Sequence, residues 1–474
     1  MSITPAADAE AKPWPARLSA MMVRFRPLML LFGGTFGSAI FAMGGQLLLA
    51  RSLSVADYGR LAAVLAAVNL LSPVAAFGVN WFWVQIFGRE GYRGYRWIAP
   101  SLSLLAVTNL ISLAGLAVYF GFFAGLPAEA RLSVIGLGGL MLLGQCAVEI
   151  ASVKFQLEER FGLLALWQSV SQVGRFLVAA GLMITASSTL GAVLLGYGLV
   201  GFLLLAFGLV IVSHFHQRKV RLTGHVDDAI ASAITTEAAG VMVTARQSFP
   251  FAFITIFYLI YFQSVILIIS AFLGPESTAV FSAALLLLSA IHLVPNIVFT
   301  KFLMARICRW AEHDHKSFEA ILHVSVASMV VLGLATMAAV VVGAAWFVPL
   351  VFGAKYAKSV TMLIWLSPTI PIRFVQSAYS ATLVSEANVR RRVKYAGVSA
   401  VASLAVNFAL LPVFGLVGAA AAAVVSEFVL LVLNVWGAAR HVDGVKITES
   451  FRWSVLKASA ARIMQAEGVG APRS

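Results

Sequence analysis

Apolar residues run along this chain in blocks of about 18–25 residues broken by short polar punctuation. That is neither the two-residue alternation of a half-buried strand nor the narrow stripe of a surface helix. A block of this length crosses a ~30 Å hydrocarbon core as an α-helix. The pattern predicts spans at 28–50, 61–86, 98–123, 132–152, 164–184 and 190–212, then at 247–272, 278–300, 319–343, 360–384, 395–412 and 417–438. The external links, 51–60, 125–131, 185–189, 274–277, 348–359 and 412–416, are too short to form a domain. The longest internal link, 213–246, is polar and separates six spans from six. The expected fold is therefore an all-α integral membrane protein of about twelve helices. It comprises a tail (1–27), a six-helix lobe (28–212), a linker (213–246), a second six-helix lobe (247–438) and a tail (439–474).

The halves resemble each other. The segment A-R-S-L-S-V-A-D-Y-G at 50–59 recurs loosely as S-A-F-L-G-P-E-S-T-A at 270–279, and a proline follows in the next span each time, Pro73 and Pro295. Leu190-Gly191-Ala192 at the start of span six returns as Val417-Gly418-Ala419 at the start of span twelve. Six is even, so the two copies share one orientation. Their pseudo-two-fold axis then lies along the membrane normal, an arrangement found in transporters.

Composition agrees with a lipid solvent: 60% of residues are hydrophobic and 11% charged, with mean hydropathy +0.91. Net charge is +14. Lys and Arg divide unevenly, 27 of 34 falling in the tails and internal links and five (Arg51, Arg60, Arg131, Lys355 and Lys358) in the external ones. This asymmetry predicts both termini in the cytoplasm. The charge reports orientation and attraction to anionic headgroups, not nucleic acid. The first apolar run is too long for a cleavable signal and is expected to stay as an anchor. Residues 1–20 are expected to be disordered, and 445–467 to form an amphipathic helix in the headgroup layer. Cys146 and Cys308 fall in a span and an internal link, so no disulfide is expected, and no metal or cofactor motif is visible. His313 and His315 around Asp314 read as a solvated loop.

Charges at membrane depth are the leading chemical signal, because they must face a cavity or a partner. Arg175 lies mid-way along span five, Arg373 along span ten just after Pro368 and Pro371, His292 along span eight and Glu427 along span twelve; Glu149 lies one turn inside span four. One reading is a cationic cavity for an anionic headgroup, since guanidinium stays charged and offers a planar fork to phosphate. The other is a pair of interhelical ion pairs, Arg373–Glu427 and Arg175–Glu149. His292 fits packing, cavity lining or proton handling equally. Asn80 and Trp81 head an aromatic run that either anchors span two at the interface or offers a platform to sugar rings, and Gln46, Asn69, Gln263 and Asn296 add neutral polarity in spans one, two, seven and eight.

The 50–59 segment, Gly78, V-P-L-V-F-G-A-K-Y-A at 348–357 and Asn407 followed by L-L-P-V-F-G-L-V-G-A-A at 410–420 together resemble the bacterial oligosaccharide flippases, over roughly residues 28–438. These are the polysaccharide-transport branch of the superfamily that also holds multidrug and toxin extruders. The resemblance implies a two-lobed transporter working by alternating access in the bacterial inner membrane. Its substrate would be a polyprenyl-pyrophosphate-linked oligosaccharide for O-antigen or exopolysaccharide synthesis. Membrane lipids, a polysaccharide polymerase and chain-length machinery are the partners it implies. Relatives often carry an acid in span seven where this chain has Gln263, which argues against acid-based cation coupling there. A cation-coupled drug extruder of the same fold is the main alternative. A membrane polymerase or ligase is disfavoured by the short external links.

Overall fold

The computed structural model describes residues 33–34, 36–222, 240–297, 315–382, 386–441 and 457–459. The N-terminal tail, linker residues 223–239, the His313–Asp314 pair, Cys308 and most of the C-terminal tail, including nearly all of the expected 445–467 helix, lie outside them. Among the described residues all regular structure is helical. In chain order the helices are α1 (36–52), α2 (Val55–Ala76), α3 (Val79–Glu90), α4 (Ile98–Val118), α5 (Ala128–Leu157), α6 (Phe161–Ile184) and α7 (Leu190–His216). There follow α8 (Val241–Ile297), α9 (His315–Phe352), α10 (Lys358–Leu366), α11 (Thr369–Thr382) and α12 (Glu386–His441).

Helix count and span count differ for physical reasons. Among the described residues, seven helical stretches are long and apolar enough to cross a bilayer. Some of these are too long for one passage: the 57 residues of α8 would measure about 85 Å if straight. Gly274 (φ 78°, ψ −178°) turns α8 back on itself and Gly415 (φ 58°, ψ −136°) does the same in α12, conformations that only glycine adopts without strain. With α2–α3 and α10–α11 each taken as one interrupted rod, the described residues make twelve crossings of a multi-pass membrane protein.

Several links are shorter than the sequence pattern suggested. The first is reduced to 53–54, because Ser54 caps α2: its Oγ accepts from the Asp57 backbone N–H (3.1 Å), and Asp57 pairs with Arg60 (3.1 Å). This is an S-x-x-D cap, which satisfies a helix N-terminus locally and so starts α2 six residues before the apolar run. The α2–α3 rod breaks at Phe77 and Gly78, both left-handed, below Pro73. Thr108 Oγ1 (2.7 Å) and Asn109 Nδ2 (3.3 Å) of α4 donate to the Ala75 carbonyl near the break.

Packing follows small residues, as expected where lipid tails remove the hydrophobic drive between helices. A Cβ on Gly144 of α5 would lie 2.4 Å from the Gly201 carbonyl oxygen of α7. The two halves meet along α2 and α8. A Cβ on Gly59 would lie 1.7 Å from the Pro275 carbonyl oxygen, so the loosely repeated segments 50–59 and 270–279 touch each other across the joint. Beside them Tyr58 and Tyr356 stack edge to face with ring centroids 5.9 Å apart.

A reciprocal clamp of cations on helix ends closes this short-link end. Arg51, at the end of α1, donates from Nε to the Val351 carbonyl (2.7 Å) and from Nη2 to that of Leu350, capping α9. Lys355 donates from Nζ to the carbonyls of Arg51 (2.9 Å) and Leu53 (2.6 Å), capping α1. Cations complement the negative ends of both helices. Exposure to solvent limits each bond to about 1 kcal/mol. The opposite end is basic, carrying Arg89, Arg93, Arg96, Lys154, Arg160, Arg218, Lys219 and Arg221.

Two expectations follow. Gly59→Leu should prevent α2 and α8 from meeting and lower the thermal midpoint in detergent by several degrees, whereas Gly136→Leu, with open space around it, should not. The second concerns the clamp. In a chain with Cys146 and Cys308 replaced by Ser, a cysteine at the buried Ala279 should react with a thiol reagent several-fold faster when Arg51→Gln and Lys355→Gln are combined than when the clamp is intact. Equal rates would mean that the clamp does not hold the joint.

Candidate functional site

The charged residues flagged at membrane depth separate into two environments. In the second lobe, Arg373 of α11 donates from Nη1 to Glu427 Oε1 of α12 at 2.7 Å; the side chains are 17% and 6% exposed. The interhelical reading therefore describes this arginine. Glu427 also lines a small cavity of about 30 Å³ together with His292, Asn407 and Thr369. Glu427 Oε2, Asn407 Oδ1 and both ring nitrogens of His292 have no hydrogen-bond partner among the described residues.

Asn407 entered the sequence reading only through a motif, not as a site residue. A local signal existed: Ser399, Ser403 and Asn407 recur every four residues on an otherwise apolar helix, and all three are buried. The amide Nδ2 donates back to the Ser403 carbonyl (2.8 Å), which leaves the Oδ1 oxygen unpaired.

In the first lobe the Arg175–Glu149 pair, one of the two readings of these charges, does not form. Glu149 Oε1 accepts from Ser72 Oγ (3.1 Å) instead. Arg175, on α6, makes no ion pair with a described residue; its Nε is without a partner and its Cζ lies 5.8 Å from the centre of the Tyr197 ring. The neighbouring Phe176 fixes its height, packing on Gly44 and Gly45 of α1 and against Phe41 (ring centroids 5.3 Å). Arg175 is thus level with Gln46, one residue beyond Gly45.

Gln46 lines a larger cavity, about 510 Å³, between the two halves. Phe36, Ile40 and Met43 of α1 face Leu286, Ser289 and Leu293 of α8 across it. Phe36 and Ile40 are 51% and 55% exposed, so the cavity opens past them. Its wall is apolar with two neutral polar groups, Gln46 and Ser289, a lining that suits apolar matter.

The remaining polar candidates are spread along the rods. Asn69 is exposed on α2, Trp81 is 56% exposed on α3, and Asn80 and Gln263 are partly buried. The rest of the aromatic run belongs to the core: Trp83 is fully buried and donates to Ser101 Oγ (3.0 Å), and Phe82 stacks edge to face on Trp97. The side chain of Asn296 lies outside the described residues. The structure brings Arg373, Glu427 and His292 into one cluster and keeps Arg175 and Gln46 apart from it, in the other half.

No protein-family model matches the chain, and no curated relative matches it by sequence. Its fold does match solved structures. A lipid II flippase, MurJ, in an inward closed conformation superposes with TM-score 0.69 at 12% identity over 94% of each chain. An inward-facing multidrug resistance MATE family transporter of the MOP superfamily gives 0.61 at 14% identity, covering 92% of this chain and 96% of that one. A MOP superfamily transporter from Pyrococcus furiosus, reported with a binding pocket of reversed polarity, gives 0.52 at 13% identity over 88% and 95%. This chain has the fold of the MOP superfamily transporters.

The ion pair generates a prediction of its own. Removing one member of a buried pair strands the other charge and costs about 3–5 kcal/mol, while apolar replacement of both is close to neutral. Arg373→Met and Glu427→Leu should each destabilise the detergent-solubilised protein by that amount, and the combined variant should recover most of the loss in a thermal unfolding cycle.

Proposed function

We propose that this protein is a flippase for a lipid-linked anionic saccharide, a polyprenyl-pyrophosphate oligosaccharide, in a bacterial inner membrane with both tails in the cytoplasm. The observation that carries the reading is Arg175, a permanent cation at membrane depth with no carboxylate partner among the described residues. Hydrocarbon makes an unpaired charge expensive, so such a group is kept where it meets water or an anion. A pyrophosphate linker supplies two adjacent anionic groups that a guanidinium binds through a planar fork. The apolar cavity between α1 and α8 supplies the second element, a wall against which a polyprenyl chain can lie while its head enters the protein.

Arg373 takes a different role from the one its position suggested. Held by Glu427, it stiffens the second lobe. The substrate charge then falls to Arg175, and Asn69, Trp81 and Gln85, exposed along α2–α3, supply hydrogen bonds and a stacking face for sugars. Opening the Arg51–Lys355 clamp while the basic end closes would carry the head from one leaflet to the other. A polymerase and chain-length machinery would consume the product.

One observation favours a second reading, an extruder of lipophilic compounds coupled to a cation: Glu149 is a carboxylate at membrane depth held by a serine rather than by a base. One experiment separates the two. Proteoliposomes carrying the purified protein should flip a fluorescent polyprenyl-pyrophosphate oligosaccharide. Arg175→Ala should slow flipping by about tenfold or more, the worth of one charge-assisted bond, at unchanged protein content. Arg175→Lys should keep part of the rate. Full activity in Arg175→Ala would overturn the headgroup role, and Glu149-dependent drug transport without lipid flipping would replace it with the extruder.

A further inference from the structure

We infer that one corner of the basic end is a binding site for the phosphate headgroup of an acidic phospholipid, formed where residues 218–222 are fastened onto the turn between α3 and α4. The inference does not depend on what the protein transports. Two tyrosines of that turn, a 3₁₀ segment at Gly91–Trp97, do the fastening. Tyr95 donates from Oη to the Val220 carbonyl (3.2 Å) and accepts from the Val220 N–H (3.2 Å), and Tyr92 Oη accepts from the Leu222 N–H (3.3 Å). Their rings stack with centroids 6.3 Å apart.

This fastening decides which side chains face out. Val220 and Leu222 are buried, and the residues that alternate with them, Lys219 and Arg221, are exposed. Arg218 is exposed before them, as are Arg89 and Arg93 on either side of the Glu90–Tyr92 bend. Arg93 adjoins Tyr92, and Lys219 and Arg221 flank Val220, so the tyrosine bonds hold cations from two distant parts of the sequence in one corner.

The carboxylates of this end are engaged elsewhere. Glu90 accepts from Arg96 (2.8 Å) and from Trp97 Nε1 (3.2 Å), and Glu158 pairs with Lys154 (3.8 Å) and Arg160 (3.6 Å). Glu159, on the α5–α6 turn, is exposed and makes no ion pair with a described residue. Arg89, Arg93, Arg218, Lys219 and Arg221 likewise have no ion pair among the described residues, so the corner keeps a surplus of positive charge.

Position selects the anion. α3, α5 and α7 all end here, and α4 starts directly after the turn, at Ile98, so the cations stand at the edge of the apolar layer. Phospholipid phosphate is the anion found at that depth, and guanidinium binds its oxygens through a planar fork. The backbone does not account for the arginine at 218. It has a left-handed φ of 54° where α7 ends, with the Lys219 N–H donating to the His214 carbonyl (2.8 Å), a position that favours glycine. Residues 218–222 lead from α7 into the connection between the lobes. A headgroup that bridges Arg221 to Arg93 holds the start of that connection against the first lobe.

The test uses the full-length purified protein in detergent. Native mass spectrometry should show phosphatidylglycerol bound about tenfold or more tightly than phosphatidylcholine, and the combined Arg93→Gln, Lys219→Gln and Arg221→Gln variant should reduce that preference to about twofold or less. Lys394→Gln with Arg440→Gln, which neutralises exposed cations of the second lobe, should leave it unchanged. Arg218→Gly should weaken the preference without lowering the thermal midpoint, since the backbone there suits glycine. An unchanged preference in the first-lobe variant would overturn the site. Equal losses in the first-lobe and second-lobe variants would overturn it too, by reducing the effect to general surface charge. A polyglutamate peptide that binds the corner more tightly than phosphatidylglycerol would assign it to an acidic protein instead.

Discussion

Hydrocarbon offers no partner to a charge, and the arrangement of this protein follows from how each cation escapes that condition. Most of the described ones sit at the basic end. Arg51 and Lys355 lie at the opposite end on the carbonyls of helix termini. Arg373 meets Glu427 in the middle of the second lobe. Arg175 has none of these outlets among the described residues, and its guanidinium lies 5.8 Å from the centre of the Tyr197 ring. Functional interest concentrates on it for that reason, since the same desolvation that makes a carboxylate partner structural makes a missing one informative.

The two lobes answer the problem of buried polarity differently. In the second, a charge pair, an imidazole and an amide are buried close together beside a small cavity. In the first, polar groups serve the backbone: Thr108 and Asn109 mend the broken ladder at Ala75, and Ser72 answers Glu149. Close glycine contacts between α5 and α7 and between α2 and α8 set the geometry within which those polar groups can reach one another.

Much of the architecture was legible in the sequence because lipid imposes one dominant rule, a helix-length apolar run for each crossing. Link lengths were less legible. An S-x-x-D cap at Ser54 and glycine reversals at 274 and 415 are local backbone chemistry that hydropathy does not register. At the candidate site, a polar residue at membrane depth announces that it needs a partner but not which one. Arg373–Glu427 and Arg175–Glu149 were symmetrical on paper. Rotation about the helix axes separated them, bringing Glu427 to Arg373 and Ser72 to Glu149. The Asn407 partner was marked by a four-residue serine stripe, visible once helical periodicity is applied to polar positions as well as apolar ones.

The clamp at the short-link end differs from a side-chain ion pair in what it asks of evolution. Arg51 and Lys355 each bind main-chain oxygens, which every amino acid carries. Leu350, which is exposed, is therefore free to change identity without loosening the clamp, and Val351 and Leu53 answer only to the core they pack in, provided their helices end at the same place. A correlated-substitution survey across homologues would register no pairing between a clamp cation and the residues whose carbonyls it binds, however tightly it holds them. The clamp is thus inherited through the shape of the backbone, while beside it Gly59 against Pro275 and Tyr58 against Tyr356 still tie the two sequences to each other.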